Sequence, residues 1–181
     1  MKRFILTGAP GAGKTSILRA RAADGYAVVP EAAMDVVAVR LALEEAEHWA
    51  DPLFIDRIAA LQRQRRQAPV RPGVTVQVHD RSAVCTLALA RYLGHPVPAV
   101  LEQEVAWAVG DGSFERRVFF VRLLGFIEAT PVRRISYAES QAFEQIHEDA
   151  YRRLGFDLVD VPAGTVAERS AAVGAHIRSW A

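Results

Sequence analysis

Gly8-Ala9-Pro10-Gly11-Ala12-Gly13-Lys14-Thr15 is the stretch that decides the fold. It fits G-x-x-x-x-G-K-[ST], the P-loop or Walker A spacing. Its surroundings fit as well. Phe4-Ile5-Leu6 ahead of it reads as a short apolar strand, and Thr15-Ser16-Ile17-Leu18-Arg19-Ala20 behind it reads as helix. Glycines let backbone N–H groups turn inward around a phosphate and tolerate φ > 0, which a side chain would penalise. The helix N-terminus adds unsatisfied N–H donors and the positive end of a dipole. That dipole contributes only ~0.3–1 kcal/mol at exposed sites, so Lys14 on the β/γ-phosphates and a Mg²⁺ on the Thr15 hydroxyl supply much of the rest. With Gly near ~7% of residues, a chance match in so short a chain is on the order of one in a hundred. Gly8 through Ser16 is therefore expected to bind nucleotide phosphates.

A chain of 181 residues fits one domain, residues 1–181, with enough mass for a core. The net charge of +1 argues against a surface that seeks polyanions, and nucleic acid is not an expected partner. Basic residues are lopsided: twenty arginines stand against Lys2 and Lys14 alone. The single Cys85 excludes an internal disulfide and points to a reducing compartment, and its neighbours Val84, Leu87 and Leu89 place it on a buried helix face. No signal peptide precedes the first strand, and the longest apolar run, Val118 to Ile127, is interrupted by Arg122 and too short to span a bilayer. These features imply a soluble cytoplasmic protein without membrane insertion.

Further along, strands are expected at Tyr26–Val29, Val74–His79, Val118–Val121 and Asp157–Val161. Helices are expected from Ala32 to about Trp49, after an Asp51-Pro52 N-cap pair, at Ala83–Leu93, Val97–Val109 and Ala138–Leu154, and from Val166. Strands alternating with helices imply βαβ crossovers and a mainly parallel five-stranded sheet. In such sheets ligands sit beyond the carboxyl ends of the strands, so the residues just after each strand matter most.

Glu31 comes after the second strand, Asp80-Arg81 after the third, and Arg133 and Arg134 lie some way after the fourth. Two acids and several arginines at one sheet edge suit phosphoryl transfer. Asp80 is expected to hold the metal with Thr15, although Gln77 and His79 interrupt the apolar run before it, and Asp80 or Ser82 could instead cap the next helix. Glu31 is a candidate base for a substrate hydroxyl, against the plainer reading of a solvated carboxylate in a helix's first turn. Arg81 would hold substrate, and Arg133 and Arg134 would ride on a lid. Arg116 and Arg117 precede a strand and fall at the opposite edge. The Arg63–Arg66 run reads as a solvated helix face, and His147 as a packed or capping histidine.

With those residues in view, the chain resembles small P-loop proteins labelled AAA-family ATPases, related to the kinase domain of bacterial nicotinamide riboside kinases. The resemblance covers essentially the whole chain. It rests on Gly8–Thr15, Pro30-Glu31-Ala32, His79-Asp80-Arg81-Ser82, Tyr137-Ala138-Glu139-Ser140 with Phe143-Glu144, and Tyr151–Phe156 running into Val159–Pro162. It implies an α/β, three-layer P-loop NTPase fold of kinase-like type. The acid after the second strand paired with Asp-Arg-Ser after the third is also similar to deoxynucleoside kinases, which implies Glu31 as base and Arg81 as phosphate holder. The combined expectation is an enzyme that uses ATP and Mg²⁺ to phosphorylate a hydroxyl of a small, nucleoside-like acceptor. Its catalytic set would be Lys14, Glu31, Asp80, Arg81, Arg133 and Arg134. The competing expectation is a nucleotide-binding switch or slow NTPase with a protein or lipid partner.

Overall fold

The computed structural model describes residues 1–44, 47–110, 112–125 and 136–180. Five strands, β1 (Lys2–Thr7), β2 (Ala27–Val29), β3 (Val76–Asp80), β4 (Arg117–Val121) and β5 (Asp157–Val161), form one sheet in the order β2-β3-β1-β4-β5. Every neighbouring pair is parallel. Helices α1 (Lys14–Ala23), α2 (Ala32–Ala42), α3 (Phe54–Gln67), α4 (Ala83–Leu93), α5 (Ala99–Val109), α6 (Tyr137–Arg153) and α7 (Val166–Trp180) make the crossovers.

β1 lies in the middle of the sheet, which is why its sequence is apolar on both faces rather than alternating with polar residues. Phe4 and Leu6 point into a core with Ile17 of α1, Phe119 of β4 and Val173 and Ile177 of α7. Ile5 points the other way, among Val84 and Cys85 of α4 and Ala150 and Tyr151 of α6. The three layers are thus α1 and α7, the sheet, then α4 and α6. A further cluster, with Val36, Ile58, Leu87 and Leu101, joins α2, α3, α4 and α5 beside the sheet.

The sequence misplaces some boundaries for local reasons. The helix from Ala32 stops at Ala42 instead of reaching Trp49, and a short 3₁₀ turn at His48–Ala50 comes next. Glu44 takes a left-handed φ of 61°, which no helix interior holds. Asp51 is not the immediate cap of α3, which starts at Phe54. Its carboxylate accepts the Leu53 N–H at 2.9 Å and bridges Arg40 and Arg57. In β3, Gln77 and His79 are not solvent-facing. The strand is interior, both faces are covered, and these two side chains bond each other at 2.9 Å. No helix among the described residues is long and apolar enough to cross a membrane.

Candidate active site

The loop between β1 and α1 wraps under the carboxyl end of the sheet. Gly8 has φ +136°, and a Cβ there would lie 2.2 Å from the Val121 carbonyl oxygen. Only glycine lets the loop leave β1 so close to β4. Lys14 opens α1, is buried, and turns its Nζ back to the Ala9 carbonyl at 2.8 Å. Burial lowers its pKa to about 8, with Arg81 acting the same way and Glu31 and Asp80 opposing.

The Thr15 hydroxyl donates to Asp80 Oδ2 at a long 3.5 Å, while Asp80 Oδ1 is buried with no hydrogen-bond partner. Burial raises the Asp80 pKa to about 6; Lys14 opposes this and Glu31 reinforces it. An orphaned carboxylate oxygen beside a hydroxyl is a donor set suited to a hard divalent cation. Ser82, not Asp80, caps α4, accepting the Val84 N–H on its hydroxyl. The choice left open by the sequence is thereby resolved, and the Asp80 carboxylate has no capping duty.

Glu31 occupies the N-cap position of α2 without capping it. Its side chain turns inward and pairs with Arg81 Nε at 2.7 Å. Burial pushes the Glu31 carboxyl upward, but Arg81 and Lys14 outweigh it and the net pKa is lowered. Arg81 itself has φ 69°, a conformation costly for a side chain as large as this and held by its N–H bond to the Leu6 carbonyl at 2.9 Å. On its other side, Arg81 donates to His147 Nε2 at 3.0 Å. His147 Nδ1–H donates to the Phe143 carbonyl at 2.9 Å, so one tautomer satisfies both contacts. Burial, with Arg81 adding to it, lowers the His147 pKa to about 3 and keeps the ring neutral. The packed histidine expected from sequence is thus also an acceptor for Arg81.

Below this layer the Tyr151 hydroxyl bonds Ser82 at 2.8 Å and Cys85 Sγ at 3.1 Å, and Cys85 reaches the Thr7 hydroxyl at 3.0 Å. Cys85 is buried as its neighbours imply. Next to Asp80 and Arg81 lies a shallow cleft, walled also by Pro30, Gln62, Trp107 and Phe114. Gln62 Oε1 accepts the Thr86 hydroxyl at 3.0 Å, which fixes that side chain's orientation.

The structure therefore gathers Lys14, Thr15, Glu31, Asp80 and Arg81 at one edge of the sheet. Asp35, one helical turn beyond Glu31, pairs with Arg65. Arg133 and Arg134 lie outside the described residues. The Arg63–Arg66 run is not simply solvated: Arg63 and Arg66 both bond the buried Glu104, at 2.9 and 2.8 Å. Two arginines escape a reading of the sequence. Arg122, directly after β4, pairs with Glu148, Asp160 and Glu144 at 2.7, 2.7 and 3.0 Å. Its only sequence signal is that it interrupts an apolar run at the carboxyl end of a strand. Arg169, in the first turn of α7, lies against Gly13 and has no such signal.

No curated protein matches this sequence. Among solved structures, a deoxyadenosine kinase from M. mycoides, with its product dCMP and a flexible dCDP bound, superposes with a TM-score of 0.56. That match covers 99% of this chain and 100% of the kinase at 12% sequence identity, a likeness of fold. The AAA domain family matches residues 3–169, nearly the whole chain and all the residues gathered at the site. The chain belongs to the AAA domain family, in a P-loop fold of kinase type.

Proposed function

We propose that this protein is an ATP-dependent phosphotransferase that moves the γ-phosphoryl group of ATP to a hydroxyl of a small, nucleoside-like acceptor. The observation that carries this reading is the convergence of Glu31, Arg81 and Asp80 on the P-loop edge. A P-loop alone would serve any nucleotide binder; acid and arginine on the acceptor side are what transfer needs.

Lys14 and the loop amides hold the β- and γ-phosphates. Thr15 and Asp80 are the residues that would hold Mg²⁺, which when bound neutralises phosphate charge. The acceptor hydroxyl lies beside Glu31; its proton passes to that carboxylate as its oxygen bonds the γ-phosphorus and the bond to the β-phosphate oxygen breaks, releasing ADP. Arg81 balances charge on the transferred group. Arg133 and Arg134 would close over it, and the adenine would rest on the turn at Pro162–Gly164.

One observation favours a slow NTPase or nucleotide switch instead. The Arg81 ion pair lowers the proton affinity of Glu31, which makes it a weaker base in the resting protein. ADP release measured across a panel of nucleosides and vitamins separates the two. A member that stimulates release supports transfer, and a flat response across the panel supports the switch.

A further inference from the structure

Three arginines are buried among the described residues, and two of them face a carboxylate. Arg21 pairs with Asp24 at 2.7 Å, and Arg81 with Glu31 at the same distance. Arg169 is different. It is 4% exposed, no described carboxylate pairs with it, and its Nε has no hydrogen-bond partner. Its one side-chain bond among the described residues runs from a terminal guanidinium nitrogen to the Arg122 carbonyl at 2.9 Å. Burial lowers its pKa and no acid offsets that.

A buried charge without a partner is costly, so the position calls for an anion that the described residues do not supply. Geometry says where that anion lies. Arg169 NH1 stands 3.1 Å from the place a Cβ on Gly13 would occupy, so the guanidinium packs on the phosphate loop just ahead of Lys14. The stem of the same side chain runs past Gly164, whose Cβ would meet Arg169 Cγ at 3.8 Å. Arg169 thus spans from the β5–α7 turn to the P-loop. A planar guanidinium with unused donors matches phosphate oxygens in shape as well as charge.

We propose that Arg169 is a nucleotide ligand: its guanidinium binds the phosphate nearest the nucleoside from the α7 side, completing the grip that Lys14 and the loop amides make on the other phosphates. The proposal rests on the reading of Gly8–Ser16 as a phosphate site. It makes the first turn of α7 part of the binding site. It also couples nucleotide occupancy to the packing of that helix.

The test measures MgADP affinity and the melting temperature of the unliganded protein for wild type, Arg169→Met and Arg169→Gln. Both variants are expected to bind MgADP at least tenfold more weakly. Their unliganded melting temperatures are expected to be unchanged or higher, because an uncompensated charge has been removed. A purely structural arginine gives the opposite sign, a lower melting temperature with affinity lost only as the fold is lost. Affinity within twofold of wild type in either variant overturns the proposal, as does failure of both to fold. Lys14→Ala serves as the control: if it binds MgADP normally, the phosphate-site reading falls and the Arg169 proposal with it. If only Lys14→Ala loses affinity, the phosphate site stands and Arg169 is excluded from it.

Discussion

At the carboxyl ends of the strands Arg81 and Arg122 are locked to carboxylates, Glu31 in one case and Glu144, Glu148 and Asp160 in the other. At the amino ends Arg3, Arg116 and Arg117 lie over the rings of Trp107, Phe156 and Trp180, at 5.7, 5.4 and 4.0 Å. The same residue type serves two purposes on one sheet. Over a ring, the long stem and the cation contribute packing, and the charge points at nothing that reacts. Against carboxylates the guanidinium is fixed in direction by its ion pairs, although Arg122 also lies over the Phe120 ring at 4.5 Å. The difference teaches that ion pairs gather at the carboxyl edge, where the proposed site lies, while at the amino edge arginines pack on rings.

Substitutions can break that contrast, and Gly8→Ala should do most damage. Its Cβ would meet the Val121 carbonyl, a backbone atom that cannot step aside without parting β1 from β4. We expect about 4 kcal/mol lost in urea unfolding, the range of severe strain at a special φ. A loss under about 1 kcal/mol would mean that the β1–β4 approach is not tight. Lys14→Ala comes next, at about 3 kcal/mol of binding, more than a hundredfold in MgADP affinity by titration calorimetry.

Acid stability gives a third handle. His147 and His79 are buried, and burial lowers each pKa from 6.5 to about 3. Below about pH 6.5 the unfolded chain takes up protons that the folded one refuses, so stability is fully present above that value and lost as pH falls toward 3. Each histidine should cost about 2 kcal/mol between pH 7 and pH 5. Urea midpoints at the two values check this, and His147→Gln should remove its share of the slope. An unchanged slope would place the titration elsewhere. Smallest of all is Arg117→Gln at the amino edge, expected to cost about 0.5–1 kcal/mol of stability with MgADP affinity untouched. A change in affinity there would erase the contrast between the edges.

Much of this is legible in the chain. The P-loop announces itself because phosphate binding needs a local pattern of glycines, lysine and hydroxyl. Glu31 and Asp80-Arg81 stand out by position, each just past the end of a strand, since parallel sheets collect ligands at one edge. Other features depend on distant residues. Ser82 and Asp80 are equal capping candidates in sequence, and only the fold shows which side chain accepts the Val84 N–H. His147 meets Arg81 across 66 residues, and Arg169 meets Gly13 from the far end of the chain. No periodicity encodes such pairs. The Arg63–Arg66 run passes for a solvated face in sequence because the buried Glu104 that receives it sits on another helix.

The most direct test of the central claim is acceptor-dependent ADP release by Glu31→Gln, measured beside wild type with the acceptor that stimulates it best. The substitution keeps size and removes the proton-accepting carboxylate that faces Arg81. The account predicts ATP affinity within about threefold of wild type and acceptor-dependent release reduced at least about a hundredfold, within the range of a lost general base. Release at the wild-type rate in Glu31→Gln would contradict it and take the second acid out of the mechanism.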